Sequence, residues 1–196
     1  MPLLCHECRG GNKTGEPTVT RSMQSFVVGG GCFWCIDAVY RQFEGITASI
    51  SGYTGGHVEN PTYREVCSGT TGHVEVVKVE FDETVIPAET VLDIFFASHD
   101  PTSWDRQGAD AGPQYRSALY YENEEQKALF EAAIQRASQL WDQPIVTVVE
   151  PLGTFYEAED YHQNYYALNP YQGYCMAVIN PKLAKTRQHY ARFLRS

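Results

Sequence analysis

The feature that most constrains this chain is the run of three glycines at 29–31, set between the apolar string SFVVG at 25–29 and a helical pattern from Trp34 to Phe43. Consecutive glycines neither propagate a helix nor fill a strand face, so the chain must turn there. A buried strand therefore feeds a helix through a sharp corner, and Cys32 is the first residue past it. The clearest strand lies at His73–Asp82 (HVEVVKVEFD), with Val77, Val79 and Phe81 on one face and Lys78, Glu80 and Asp82 on the other. Glu75 has the parity of the apolar set.

Other elements follow from the same patterns. Ile46–Ile50 alternates as a strand up to the turn signal GYTGG at 52–56, and a polar loop containing Pro61 comes next. Pro87 opens a helix carrying Val91, Leu92, Phe95 and Phe96 and ending about Ser98, after which a long loop runs from His99 to Gln114. Ser117–Tyr121 reads as a strand, Asn123 with Gln126 as a capping box for a helix reaching about Trp141, and Ile145–Val149 as a last strand. This order predicts a single-domain α+β fold, a ferredoxin-like split β-α-β sheet with packed helices, an appended helix and strand, and extended functional loops. Residues 1–24 lack periodicity and read as a loose N-terminal tail, 25–170 as the main domain, and 171–196 as a C-terminal tail closed by a helix that Asn180-Pro181 caps.

Composition narrows the function. A length of 196 residues suits one domain, and no apolar run approaches the ~20 residues that span a bilayer. The net charge of −9 opposes nucleic acid as a partner. Lys182, Lys185, Arg187, Arg192 and Arg195 read as a solvated helix face. The opening MPLLCHECRG lacks the charged and apolar regions of a secretory signal, so the cytoplasm is the expected compartment. Six cysteines are too few for a disulfide scaffold, and the C-x-x-C spacings of Cys5/Cys8 and Cys32/Cys35 favour redox or metal chemistry.

At a helix N-terminus, unpaired amides favour the thiolate of Cys32 and so its nucleophilicity, although a small buried thiol at a tight turn would occupy the same place. Phe33 and Trp34 beside it either wall an apolar pocket or fill core. Glu75, desolvated on an apolar strand face, is expected to hold its proton above the free value of about 4.3 and to donate it near neutrality. The alternative is a structural carboxylate paired with an arginine.

The strings GCFW at 31–34, GYTGG at 52–56, NPTYREVCSGTTGHVEV at 60–76, HDP at 99–101, RQGAD at 106–110, QYRSA at 114–118 and AEDYHQNYY at 158–166 resemble the A-type peptide methionine sulfoxide reductases. The resemblance spans about residues 25–175. It implies reduction of the S epimer of methionine sulfoxide, free or in proteins, with thioredoxin as reductant and no cofactor or metal. It further implies that Cys32 attacks the sulfoxide sulfur and becomes a sulfenic acid, while Phe33 and Trp34 hold the methyl group. Glu75, Tyr63 and Tyr115 match positions that bond the sulfoxide oxygen, and Asp110 one that orients the substrate or the site. His162, inside the AEDYHQNYY match, stays outside this catalytic set. A monomer is expected.

The sulfenic acid must be resolved by a second thiol before further oxidation inactivates it. Cys175, in NPYQGYC, resembles the family's C-terminal resolving cysteine, although Gln172 interrupts the usual motif; it is the preferred candidate. Cys35 is the competitor, placed for a C-x-x-C disulfide, and Cys67 reads as structural. Two other readings stay open. One is a thioredoxin-like disulfide oxidoreductase using Cys32 and Cys35, and the other a metal-stabilised interaction module using Cys5, His6 and Cys8.

Overall fold

The computed structural model describes residues 22–196, so the tail cysteines Cys5 and Cys8, with His6, lie outside the described residues. The chain runs through β1 (Met23–Gly30), α1 (Phe33–Tyr40), β2 (Ile46–Thr54), α2 (Tyr63–Cys67), β3 (Val74–Asp82) and α3 (Ala88–Ser98). After these come β4 (Arg106–Gln107), β5 (Asp110–Ala111), β6 (Ser117–Tyr121), α4 (Glu124–Ala137), β7 (Val148–Pro151), β8 (Tyr156–Glu157), α5 (Tyr165–Leu168) and α6 (Asn180–His189). The main sheet has the order β7-β6-β1-β3-β2-β8, antiparallel except for the β6–β7 pair. β3 lies between β1 and β2, the two strands that α1 connects, so the expected split β-α-β sheet is present.

Alternation along the central strands divides the interior in two. Phe26, Val28, Val77, Val79 and Phe81 join Ile36, Leu92, Phe95 and Phe130 in the main core, and Glu75 has the same parity. Val27, Val74, Val76, Ala118 and Tyr120 form a smaller cluster on the other face. β3 is therefore a central strand buried on both faces near its start, and only Lys78 and Glu80 reach solvent, where they pair at 3.1 Å.

Several local features differ from the sequence reading. α2 occupies the region read as a polar loop, opened by a full capping box between Thr62 and Glu65. At Asn123 only half of the expected box forms: its side chain accepts from the Gln126 amide, while Gln126 Oε1 takes the Glu122 amide instead. α4 ends at Ala137, short of Trp141, and the last strand falls at Val148–Pro151 because parallel pairing with β6 sets its register. The long loop folds a β4-β5 hairpin and a 3-10 turn at Pro113–Tyr115. Asn180 is no cap, since a π-helical turn at Cys175–Ile179 runs directly into α6. The widened turn lies just ahead of Pro181, whose ring a regular helix would not accommodate. The segment expected as a tail is packed, with Cys175, Ile179 and Leu183 buried in the main core.

The glycine corner is tight. Gly31 has φ +88°, and a Cβ there would lie 2.6 Å from Gln107 Cγ. Gln107 cannot easily retreat, because its amide brackets Asp100 through bonds of 2.9 Å and 2.6 Å to the backbone. Gly31→Ala should therefore cost roughly 2 kcal/mol of stability. Urea unfolding reads this directly, and an unchanged midpoint would show that the corner relaxes freely.

Candidate active site

Cys32 terminates the corner as the N-cap residue of α1, with φ −57° and ψ 125°. The next amide, that of Phe33, donates to Glu75 Oε2 at 3.1 Å, tying β3 to the start of the helix. Glu75 is 1% exposed, and its Oε1 has no hydrogen-bond partner among the described residues. Burial drives this carboxyl up to about 8, overcoming the opposite effect of the Phe33 amide. Among the described residues its one hydrogen bond comes from a backbone amide and none from an arginine, which fits the desolvated acid its strand parity predicts.

Aromatic rings wall the corner. Phe33 lies near-parallel to Tyr63 at 6.3 Å and within 5.0 Å of His162. Trp34 stacks flat on Tyr165 at 3.7 Å and 5°, and its Nε1 donates to His162 Nδ1 at 3.0 Å. Tyr63 and Tyr115 are half-buried, and burial followed by the proximity of Glu75 keeps both phenols protonated and able to donate. Tyr63 is set by its backbone: Glu159 accepts from the Tyr63 amide at 2.8 Å with Oε1 and from the Tyr53 hydroxyl at 2.8 Å with Oε2. Although burial pulls Glu159 up, hydrogen bonds led by that of the Tyr63 amide hold it below the usual carboxylate value.

The thiols depart from expectation. Burial, then a hydrogen bond with Cys35 and the nearby Glu75 charge, push Cys32 well above the ordinary thiol value. Cys35 is instead held down to about 7, chiefly by the hydrogen bond with Cys32 and further by the charge of Lys182. Desolvation at Cys32 thus works against the helix N-terminus. Tyr174 joins this pair to Asp110: its hydroxyl donates to Asp110 Oδ2 at 2.5 Å and lies 3.7 Å from Cys35 Sγ.

The structure therefore brings together Cys32, Phe33, Trp34, Cys35, Tyr63, Glu75, Asp110 and Tyr115. Cys175 shares the main core with Cys32 and Cys35. It is fully buried on the π-helical turn, where the neighbouring thiol acting on it is Cys35. Four residues outside the predicted set, Glu159, His162, Tyr165 and Tyr174, hold the walls and the thiol pair. Their signal was the density of Tyr, His and Glu at 156–174, which by itself names no contact. Among the described residues no cluster of His, Cys, Asp and Glu could hold a metal ion.

Comparison with known proteins gives one answer. The family model described as peptide methionine sulfoxide reductase matches residues 24–193. The peptide methionine sulfoxide reductase MsrA of Paenarthrobacter aurescens is 63% identical over 172 residues, covering 88% of this chain and 99% of that protein. Mxr1 from Saccharomyces cerevisiae in reduced form superposes with TM-score 0.75 at 33% identity, covering 85% of this chain and 95% of that one. Mxr1 in complex with Trx2 shares the fold at 24% identity and TM-score 0.53, covering 78% and 91% of the two chains. None of these matches carries the thioredoxin-like alternative, and the chain belongs to the peptide methionine sulfoxide reductases of the MsrA type.

Proposed function

We propose that this enzyme reduces methionine-S-sulfoxide, free or in proteins, through Cys32 as nucleophile, Glu75 as proton donor and Cys35 as the first resolving thiol. The observation that carries the reading is the buried carboxyl of Glu75, protonated near neutrality and bonded to the amide that follows Cys32. Phe33 and Trp34 cup the S-methyl group, Tyr63 and Tyr115 donate with Glu75 to the sulfoxide oxygen, and Asp110 with Tyr174 orients the thiol pair. Cys32 sulfur bonds to the sulfoxide sulfur as Glu75 protonates the oxygen. The oxygen then passes to Cys32 as a sulfenic acid, methionine leaves, and the proton lost by Cys32 restores Glu75. Sulfur of the substrate is reduced, Cys32 is oxidised, and no proton is gained or lost overall.

Cys35 displaces hydroxide from the sulfenic acid, giving a disulfide and water. Its hydrogen bond with Cys32 supports this role alongside the Cys175 expected from the family motif. Cys175, next to Cys35, is the receiver of the disulfide in a second exchange. Thioredoxin closes the cycle, a partner supported by the complex of the yeast relative with Trx2. No helix among the described residues is long and apolar enough to cross a membrane, and a monomer working in the cytoplasm is the setting we propose.

Stoichiometric methionine sulfoxide without reductant, followed by acid quench, thiol blocking and peptide mass mapping, tests the assignment. The first disulfide formed should link Cys32 to Cys35, with links to Cys175 rising later. A Cys32–Cys175 link as the earliest species would return the resolving role to Cys175. Cys35→Ser should still release one methionine per enzyme but slow thioredoxin-driven turnover at least tenfold, a loss that dithiothreitol, small enough to reach the sulfenic acid, relieves.

A further inference from the structure

Arg187 and Arg195 belong to the basic run that reads as a solvated helix face, yet both line one cavity of about 350 Å³. They share it with Arg41, at the end of α1, and with the aliphatic side chains of Ala38, Leu183 and Leu194. No acidic residue lines it, although the chain as a whole carries a net charge of −9. Arg187 Nε donates to Gln42 Oε1, and Arg195 donates from Nε to Arg41 O at 3.1 Å and from Nη2 to Ile46 O. Both guanidiniums are thereby fixed by neutral acceptors. Neither has a carboxylate partner among the described residues.

Arg41 differs from these two. Asp37 accepts its Nε through both carboxylate oxygens at 2.9 Å, and Ser49 O takes its Nη2, so its charge is answered within the protein. The charges of Arg187 and Arg195 are not, and two like charges around one cavity repel unless an anion comes between them. Donors remain for that anion: both Nη groups of Arg187, and the Nη1 groups of Arg41 and Arg195, have no partner among the described residues. The carbonyl oxygens of Arg41 and Ile46, which would repel an anion, are covered by Arg195 itself.

We propose that this cavity binds a small organic carboxylate, its charged end between Arg187 and Arg195 and its short apolar stem on Leu183 and Leu194. A guanidinium presents its donors as a planar fork that matches a carboxylate. Inorganic phosphate would satisfy the donors but leave the aliphatic walls uncovered, whereas a stem of a few carbons buries them. The cavity lies near the lower end of the range of small-molecule sites, which suits a ligand of this size. It is separate from the reaction centre: it adjoins the C-terminal end of α1, and Cys32 stands at the N-terminal end.

Titration of the full chain with n-hexanoate, followed by methyl NMR at neutral pH, tests the site. Shifts at Ala38, Leu183 and Leu194 should move together and saturate, with a Kd on the order of 1 mM. Inorganic phosphate should bind at least tenfold more weakly. Arg187→Gln, which removes the charge and the fork, should weaken hexanoate at least fivefold and leave reductase activity within about twofold of the parent. Arg192→Gln, a charge of the same segment outside the cavity, should leave Kd within about twofold. Shifts that never saturate, or equal losses in the two variants, would overturn the proposal and reduce the effect to screening of surface charge. Phosphate binding as tightly as hexanoate would overturn the carboxylate assignment. The parent's methyl map needs no variant to fold, and shifts confined to residues around Cys32 would likewise overturn the site.

Discussion

Cys32→Ser should release no methionine from methionine sulfoxide, even with dithiothreitol in excess, while binding the substrate as the parent does. A hydroxyl in the same buried corner keeps the size of the side chain but supplies neither the sulfur nucleophile nor an acceptor able to hold oxygen as a sulfenic acid. The loss should exceed that of any other single replacement, because every later step consumes the sulfenic acid. Quenched single-turnover assays by chromatography measure it without interference from recycling. Product at one equivalent per enzyme from the variant would move the nucleophile elsewhere, and Cys35, the less basic thiol of the pair, would be the first place to look.

The fold was legible where burial and period agree. β3 alternates cleanly and lies at the centre of the sheet, and Val91, Leu92 and Phe95 face the core from α3 as their spacing predicts. It was less legible where long-range partners decide. β7 takes its register from parallel pairing with β6, which no local pattern encodes. Asn180-Pro181 has the local chemistry of a helix start, yet the buried side chains of Cys175 and Ile179 continue the helix upstream of it.

The site divides in the same way. The glycine corner announced Cys32, and strand parity announced Glu75, because both follow from elements that sequence periodicity specifies. The protonation of the thiol pair did not follow, since it depends on how deeply the corner is buried and on which sulfur receives the hydrogen bond. Nor did the network of Glu159, His162, Tyr165 and Tyr174, whose contacts with α1 and α2 cross 96 to 139 positions of sequence in the case of the hydrogen bonds. Short motifs placed these residues in order along the chain, and only packing turned that order into a second layer around Phe33 and Trp34.

Glu75→Gln removes a transferable proton while keeping a hydrogen-bonding group of similar size, and the chemical step should slow by about 10²–10⁴, the range of a positioned general acid. The pH profile separates this from simple damage. The donor form of Glu75 exists below its pKa of about 8, so the parent's single-turnover rate should fall as pH rises through that value. The Gln variant should lack that descending limb. Stability gives an independent reading with its own sign. The carboxyl is raised in the folded protein, so its contribution is full below the unfolded value of about 4.3 and drains away as pH rises toward about 8. Glu75→Gln should therefore gain on the parent between about pH 5 and pH 8, by an amount on the order of a few kcal/mol in denaturant unfolding. A variant that reacts at the parent's rate, or a parent whose rate climbs through pH 8, would remove Glu75 as the donor and leave that task to Tyr63 and Tyr115.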